Sequence, residues 1–247
     1  MKGLILAAGY GTRLYPLTLN LPKPLLEVGG KTIMERHLTK LEAVGTCDGV
    51  YIVTNSKFAH VISSWSEKHK FRFPVEIVDD GTITNEDRLG AIGDIRLVLD
   101  KKAPSSDVLI MAGDNLFEFP LSGFVSFAGK KGCLTVALYD VKERELAKKY
   151  GIVSLGVGEQ VTDFQEKPKE PGSTLASTGI YYLPEAKLGF LGKYLSTGNS
   201  KDAPGNFVKW MSENDKVYGY VFREGWYDIG DIDSLHKADR EYREKGI

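Results

Sequence analysis

The feature that most constrains this chain is a rhythm: through its first half, short apolar runs alternate with amphipathic segments. Leu4-Ile5-Leu6 precedes a helical pattern from about Ile33, and Val50-Tyr51-Ile52-Val53 precedes another near Val61. Val75 to Val78 and Val108 to Met111 then flank a third helical pattern, from about Leu89 to Leu99. Short buried strands separated by helices predict βαβ units and a mostly parallel sheet with both faces covered. The helix from Ile33 carries its own boundary signals. Thr32-Ile33-Met34-Glu35 has the form of a capping box, and Gly45 supplies a stop after Val44. Its residues Ile33, His37, Leu38, Leu41 and Val44 share one face, which should pack on the sheet. After Gly132 the pattern turns strand-rich, with Leu134 to Tyr139, Ile152 to Leu155, Val161 to Glu166 and Ile180 to Leu183. The turn Gly156-Val157-Gly158 predicts a hairpin between two of these. A last helix is expected over about residues 232–244.

No repeat, low-complexity tract or long linker interrupts the 247 residues, so a single domain over 1–247 is expected. The formal net charge of -1 leaves no broad basic field for nucleic acid. No apolar stretch approaches a membrane span, and the opening run breaks at Gly9-Tyr10-Gly11-Thr12-Arg13, too early for a signal peptide. Cys47 and Cys133 form no CxxC pair, which argues against a zinc site or a disulfide framework. These features together predict a cytoplasmic protein with inert thiols.

Three constellations could carry chemistry. In Leu6-Ala7-Ala8-Gly9-Tyr10-Gly11-Thr12-Arg13-Leu14 a strand runs into a small-residue loop whose backbone N–H groups can wrap phosphates. No Gly-Lys-Ser/Thr follows, and Leu14 stands where a dinucleotide fingerprint has its third glycine, so neither familiar phosphate motif applies. Pro22-Lys23-Pro24 then fixes the backbone around a lysine beside that loop. The second constellation is acidic. Asp114 follows the strand ending at Met111, where open α/β sheets place ligands, and Asp228 sits in Trp226-Tyr227-Asp228-Ile229-Gly230-Asp231. Each aspartate alone is more often a cap or turn former than a metal ligand. The third constellation joins Tyr150-Gly151, Glu166-Lys167-Pro168 and Ser177-Thr178-Gly179, polar groups and close-approach glycines suited to a hydroxyl-rich ligand. The four histidines, His37, His60, His69 and His236, fall in helical patterns without ligand spacing and are expected to be structural or exposed.

Taken in order, Leu6 to Leu14, Pro22-Lys23-Pro24-Leu25, Gly113-Asp114-Asn115, Glu166-Lys167-Pro168 and Trp226-Tyr227-Asp228 resemble the sugar-1-phosphate nucleotidylyltransferase family, in particular its glucose-1-phosphate thymidylyltransferase branch. The similarity spans nearly the whole chain. It implies an α/β, Rossmann-like three-layer nucleotidyltransferase fold with a mostly parallel mixed sheet. A nucleotide-binding part over about 1–130 would precede a sugar-binding part over about 131–230 and the C-terminal helix. The resemblance further implies an enzyme of the EC 2.7.7 type in nucleotide-sugar biosynthesis. It would join a nucleoside triphosphate to a sugar 1-phosphate by direct in-line attack on the α-phosphate, releasing pyrophosphate, with Mg2+ as cofactor. By position, Arg13 and Lys23 would be catalytic. Ala8, Gly9, Gly11, Thr12, Asp79 and Gly90 would bind nucleotide, Gly151, Glu166, Lys167 and Thr178 would bind the sugar phosphate, and Asp114 and Asp228 would hold the metal. Family members commonly self-associate, so a homo-oligomer is an expectation, with Trp65 and Trp210 as contact candidates if they are not core.

The match departs from the family's pattern in the base-reading segment. A glutamine is common after the third strand, but here Asp79-Asp80-Gly81 and Asn85-Glu86-Asp87-Arg88 stand in its place, and Asp94 occupies a position where a small residue is usual. An aspartate only accepts hydrogen bonds, which suits the donor edge of guanine or cytosine. The chain also ends soon after its final helical pattern, so the carboxyl-terminal β-helix of some members, and the acyltransferase activity it carries, are not expected. Two alternatives stay open: a cytidylyltransferase for a non-sugar phosphomonoester such as phosphocholine, and a non-catalytic sensor of nucleotide or sugar phosphate.

Overall fold

The computed structural model describes all residues 1–247. The first strand, β1 (Lys2–Leu6), leads through the Gly-rich loop to a short ribbon, β2 (Glu27–Val28) and β3 (Lys31–Thr32), and then to α1 (Ile33–Val44). Three more turns of the rhythm follow. They are β4 (Val50–Thr54) with α2 (Ser56–Ser66), β5 (Val75–Asp79) with α3 (Ala91–Lys102), and β6 (Val108–Ala112) with the small strand β7 (Asn115–Phe117) and α4 (Leu121–Lys131). The second half adds β8 (Leu134–Asp140), α5 (Arg144–Ala147), β9 (Gly151–Leu155), β10 (Val161–Glu166) and β11 (Leu175–Leu183). It closes with α6 (Gly189–Ser196), α7 (Pro204–Asn214), β12 (Val217–Phe222), β13 (Trp226–Asp228) and α8 (Ile232–Lys245).

The strands β6, β1, β4 and β5 are adjacent in that order and all parallel, as buried Val/Ile/Leu runs with helical crossovers require. Next to β6 the sheet turns antiparallel at β11, which also pairs β8 on its other side and β9 at its start. One strand can serve so many partners because its register breaks between Ser177 and Tyr181. There Gly179 takes φ +76°, and a Cβ would come within 2.8 Å of Ala112 Cβ. A left-handed residue in close contact with a neighbouring strand calls for glycine. The predicted hairpin is the β9–β10 pair. Two large apolar cores fill the two faces of the sheet. One packs α3, α6 and α7 on β1, β4 and β6; the other packs α1, α2 and α4 on the opposite face of the same strands. This is the expected mixed α/β sheet between helical layers.

The local signals of α1 operate in part. Thr32 accepts a hydrogen bond from Glu35 N, and Gly45 caps the end at φ +77°, whereas no return bond from the Glu35 side chain is made. The third helix starts at Ala91, two residues later than the pattern suggested. Gly90 stands before it at φ +79°, and the Asp202 and Lys201 carbonyls accept from Ala91 N and Ile92 N. His37 is structural: its Nε2 lies 2.6 Å from Asn115 O, and burial lowers its pKa to about 4, so the ring is neutral. Trp65 and Trp210 pack at the edges of the two cores against His69 and Phe71, and against Phe190, Tyr194 and Phe207. Both stay partly exposed. Cys47 and Cys133 are free and half-buried, and burial raises both thiol pKa values, which keeps them protonated. No helix is long and apolar enough to cross a membrane.

Candidate active site

A cleft of about 610 Å³ runs across the carboxyl ends of the parallel strands, where an open α/β sheet leaves room for ligands. Its middle is the loop after β1. Thr18 Oγ1 donates to Gly11 O at 2.7 Å, and the turn Thr12–Leu14 closes with Leu14 N on Gly11 O. Gly9, Gly11, Thr12 and Arg13 thereby line the opening, with the Arg13 guanidinium in no salt bridge. An exposed, unpaired guanidinium beside backbone N–H groups is suited to an anion.

On the floor, Lys23 Nζ lies 2.9 Å from Asp114 Oδ2, and the Asp114 Oδ1 accepts from Asn115 Nδ2 at 2.8 Å. Burial works to raise the Asp114 pKa, but the Lys23 charge and hydrogen bond, with that of Asn115, hold it below the usual carboxylate range. Asp114 is therefore an anion aimed into the cleft. Asp228 is brought beside it by the antiparallel β13–β7 pair, which sets Asp228 opposite Asn115, and by Ile229 N donating to Asp114 O. Burial, then the Asp114 charge, pushes the Asp228 pKa up. Two carboxylates that destabilise each other's charge in a partly dry cleft suit a shared cation. The oxygens are hard donors of the kind magnesium prefers. No group of three or more His, Cys, Asp or Glu side chains gathers to hold an ion, so further ligands would come from phosphate oxygens and water.

At one end of the cleft stand Lys149, Tyr150, Gly151, Glu166, Lys167 and Trp226. Lys167 takes φ +45°, its N–H donates to Tyr150 O, and its Nζ lies 3.9 Å from Glu166 Oε1. Burial raises the Glu166 pKa while Lys167 opposes it. The Tyr150 and Trp226 rings meet edge to face at 4.9 Å. The start of α7, Ala203-Pro204-Gly205, closes this end from above. The opposite end is lined by Tyr10, Asn85, Arg88, Gly90, Ala91 and Asp94.

The structure thus brings Ala8, Gly9, Gly11, Thr12, Arg13, Lys23, Gly90, Asp114, Gly151, Glu166, Lys167, Thr178 and Asp228 around one space. Two of the expectations change. Asp79 does not line the cleft: its Oδ1 accepts from Ser56 Oγ and Gly81 N, tying it to the start of α2 and to its own turn. Thr178 reaches the cleft, but its buried hydroxyl donates to Ala137 O at 2.9 Å and is committed to the sheet. Several cleft residues lay outside the predicted set. Asn115 orders three neighbours at once, through His37, Asp114 and the Trp226 Nε1–H that donates to its Oδ1 at 2.9 Å. Tyr150, Trp226 and Asn115 sit inside or beside the quoted motifs, so adjacency was the available signal. The Asp202-to-Gly205 segment carried only a Pro-Gly pair and the mild expectation of a helix start.

The description of a nucleotidyl transferase fits residues 2–245, and the chain belongs to that family. Among known proteins it is 29% identical over its full length to the bifunctional protein GlmU of Methanococcus maripaludis, of which it covers 56%. It is 27% identical to the UTP–glucose-1-phosphate uridylyltransferase of Synechocystis sp., covering 97% of this chain and 63% of that protein. The chain spans a little over half the length of these relatives. A UDP-glucose pyrophosphorylase structure complexed with UDP-glucose superposes with a TM-score of 0.83 at 22% identity, over 99% of this chain and 98% of that one, and shares the fold.

Proposed function

We propose that this chain condenses a nucleoside triphosphate with a sugar 1-phosphate to give a nucleotide sugar and pyrophosphate, in the cytoplasm. The observation that carries the reading is the convergence of Arg13, the Lys23–Asp114 pair, Asp228 and the Glu166–Lys167 pair on one cleft. The triphosphate lies along the loop, with its charge met by backbone N–H groups and Arg13. The acceptor sits at the Glu166 end. Glu166 accepts from sugar hydroxyls, and Lys149 and Lys167 face the phosphate. Lys23, oriented by Asp114, stands where negative charge accumulates as the acceptor oxygen attacks the α-phosphorus and pyrophosphate departs in line. No protein nucleophile is needed. Asp114 and Asp228 would hold magnesium, which supplies charge neutralisation at the phosphate oxygens when bound.

A second reading rests on Tyr150 and Trp226. Two aromatic rings beside Asp228 and Glu166 form a wall that also suits a quaternary ammonium, so phosphocholine is a rival acceptor. The test is pyrophosphate release from each of ATP, GTP, CTP, UTP and dTTP with magnesium, against a panel of sugar 1-phosphates and phosphocholine. Release with a sugar 1-phosphate is expected. Release with phosphocholine alone selects the rival, and none with any pair rejects both in favour of a sensor.

A further inference from the structure

The cleft end beyond the Gly-rich loop holds a pair of carboxyls that the proposed transfer chemistry leaves unused. Asp94, in the first turn of α3, lines the cleft yet is only 6% exposed. Its Oδ1 and the Oδ2 of Asp80 are both buried, and no other group of the chain donates to either. The two carboxyls lie close enough to act on each other's charge, and two such groups in a dry site favour a state in which one carries a proton. Burial first, then the Asp80 charge, raises the Asp94 pKa to about 7, which makes Asp94 the protonated member. No lysine or arginine offsets the pair's remaining charge.

The nearest donors, both from Thr82, point at Asp80. Its Oδ1 accepts from Thr82 N at 2.7 Å and from Thr82 Oγ1 at 2.8 Å. With the Thr82 proton committed there, the Tyr10 hydroxyl, 3.2 Å from Thr82 Oγ1, must be the donor in that contact. The Asp94 proton completes the set. What this end of the cleft has left to offer from the pair is an acceptor, the Asp94 Oδ2, since Oδ1 is buried.

If the triphosphate lies on the loop and the acceptor at Glu166, as the proposed reaction has it, the end lined by Tyr10, Gly90, Ala91 and Asp94 is where the nucleobase must go. We infer that Asp94, backed by Asp80, is a base-specificity residue that accepts a hydrogen bond from an exocyclic amino group, favouring cytosine, adenine or guanine nucleotides over those of uracil and thymine. Uracil and thymine offer one ring N–H flanked by two carbonyl oxygens. Set against the Asp94 oxygen, one of those carbonyls meets another acceptor, and neither is then satisfied.

The test is equilibrium binding of ATP, GTP, CTP, UTP and dTTP, each with magnesium, to the wild-type protein, D94A and D94N. The wild type should bind at least one amino-bearing nucleotide about tenfold or more tightly than UTP and dTTP. D94A should bring that ratio to within about threefold by removing the acceptor. D94N should keep it, because the amide N–H2 can face Asp80 while its oxygen faces the base. Thermal unfolding of each variant checks that it is folded. A wild type that prefers UTP or dTTP or binds all five alike overturns the inference whatever the variants do, as does a preference that survives in folded D94A. Pyrophosphate release separates the two readings. Amino-base preference without release with any acceptor rejects the transfer reaction alone, release with UTP or dTTP preferred rejects the Asp94 assignment alone, and no binding of any nucleotide rejects both.

Discussion

At 2.9 Å from Lys23, Asp114 is held charged by a partner whose own side chain is nearly buried. On the proposed reaction, removing the carboxylate takes a metal ligand and a positioning group from the reacting phosphates but little from the core. Asp114→Ala should lower kcat by about a thousandfold or more while the thermal transition stays near wild type. Steady-state kinetics beside calorimetry checks both halves. Lys23→Met should also lower kcat, and it should raise the Asp114 pKa by removing the charge that depresses it, so that activity fails at higher pH on the acid side than in the wild type. A pH–rate profile of the two proteins reads this shift. Asp94 has the opposite sign. Its folded pKa of about 7 lies above that of the unfolded carboxyl, so the folded state binds the proton more tightly. The stability this contributes is complete below the unfolded pKa and is lost as pH rises through about 7. Asp94→Asn should flatten that fall in denaturant titrations run from mildly acidic to mildly alkaline pH.

Among the elements, the contact of α7 with β10 sets the proposed acceptor end. A Cβ at Gly205 would overlap the Phe164 ring and come within 3.0 Å of Glu166 Oε2. Gly205→Ala must therefore push the helix from the strand or swing Phe164 aside, at a cost of about 1–3 kcal/mol. Because Glu166 ends the same strand, the KM for the sugar phosphate should rise while that for the nucleotide changes little. Denaturant midpoints and two-substrate kinetics test the pair of effects. The same segment reaches the other half of the cleft, since the Lys201 and Asp202 carbonyls cap the first N–H groups of α3. These donors would otherwise be orphans able to bind an anion, so under the proposed reaction the cap leaves the β1 loop as the phosphate site.

For the whole molecule, the cleft is assembled from β1, β6, β7, β9, β10, β11, β13, the starts of α3 and α7 and the loops between them, and the two carboxylates proposed to hold magnesium are too few to retain an ion unaided. Chelation with EDTA should stop pyrophosphate release and leave the thermal transition of the nucleotide-free protein unchanged. Nucleotide with magnesium should raise that transition, since only the folded state binds them. Differential scanning fluorimetry with and without each component distinguishes these outcomes.

What the sequence determined by itself was whatever depends on neighbours along the chain. The βαβ rhythm, the Thr32 cap, the Gly45 stop, the β9–β10 hairpin and the Gly-rich loop all follow from local propensity and period, and local rules survive folding here. The motif residues Arg13, Lys23, Asp114, Glu166 and Asp228 could be named, but not their partners. Lys23 and Asp114 are 91 positions apart, and no pattern in either segment says that one neutralises the other. Among the three aspartates it is Asp79, not Asp80 or Asp94, that the motif pattern points to as a nucleotide contact; the sheet edge turned it toward Ser56, while α3 carried Asp94 against Asp80. The fork of β11, the small β7–β13 pair and the closure of α7 over Phe164 were likewise decided only by tertiary packing. Burial and charge pairing depend on which surfaces meet, and in this fold those surfaces come from opposite ends of the chain.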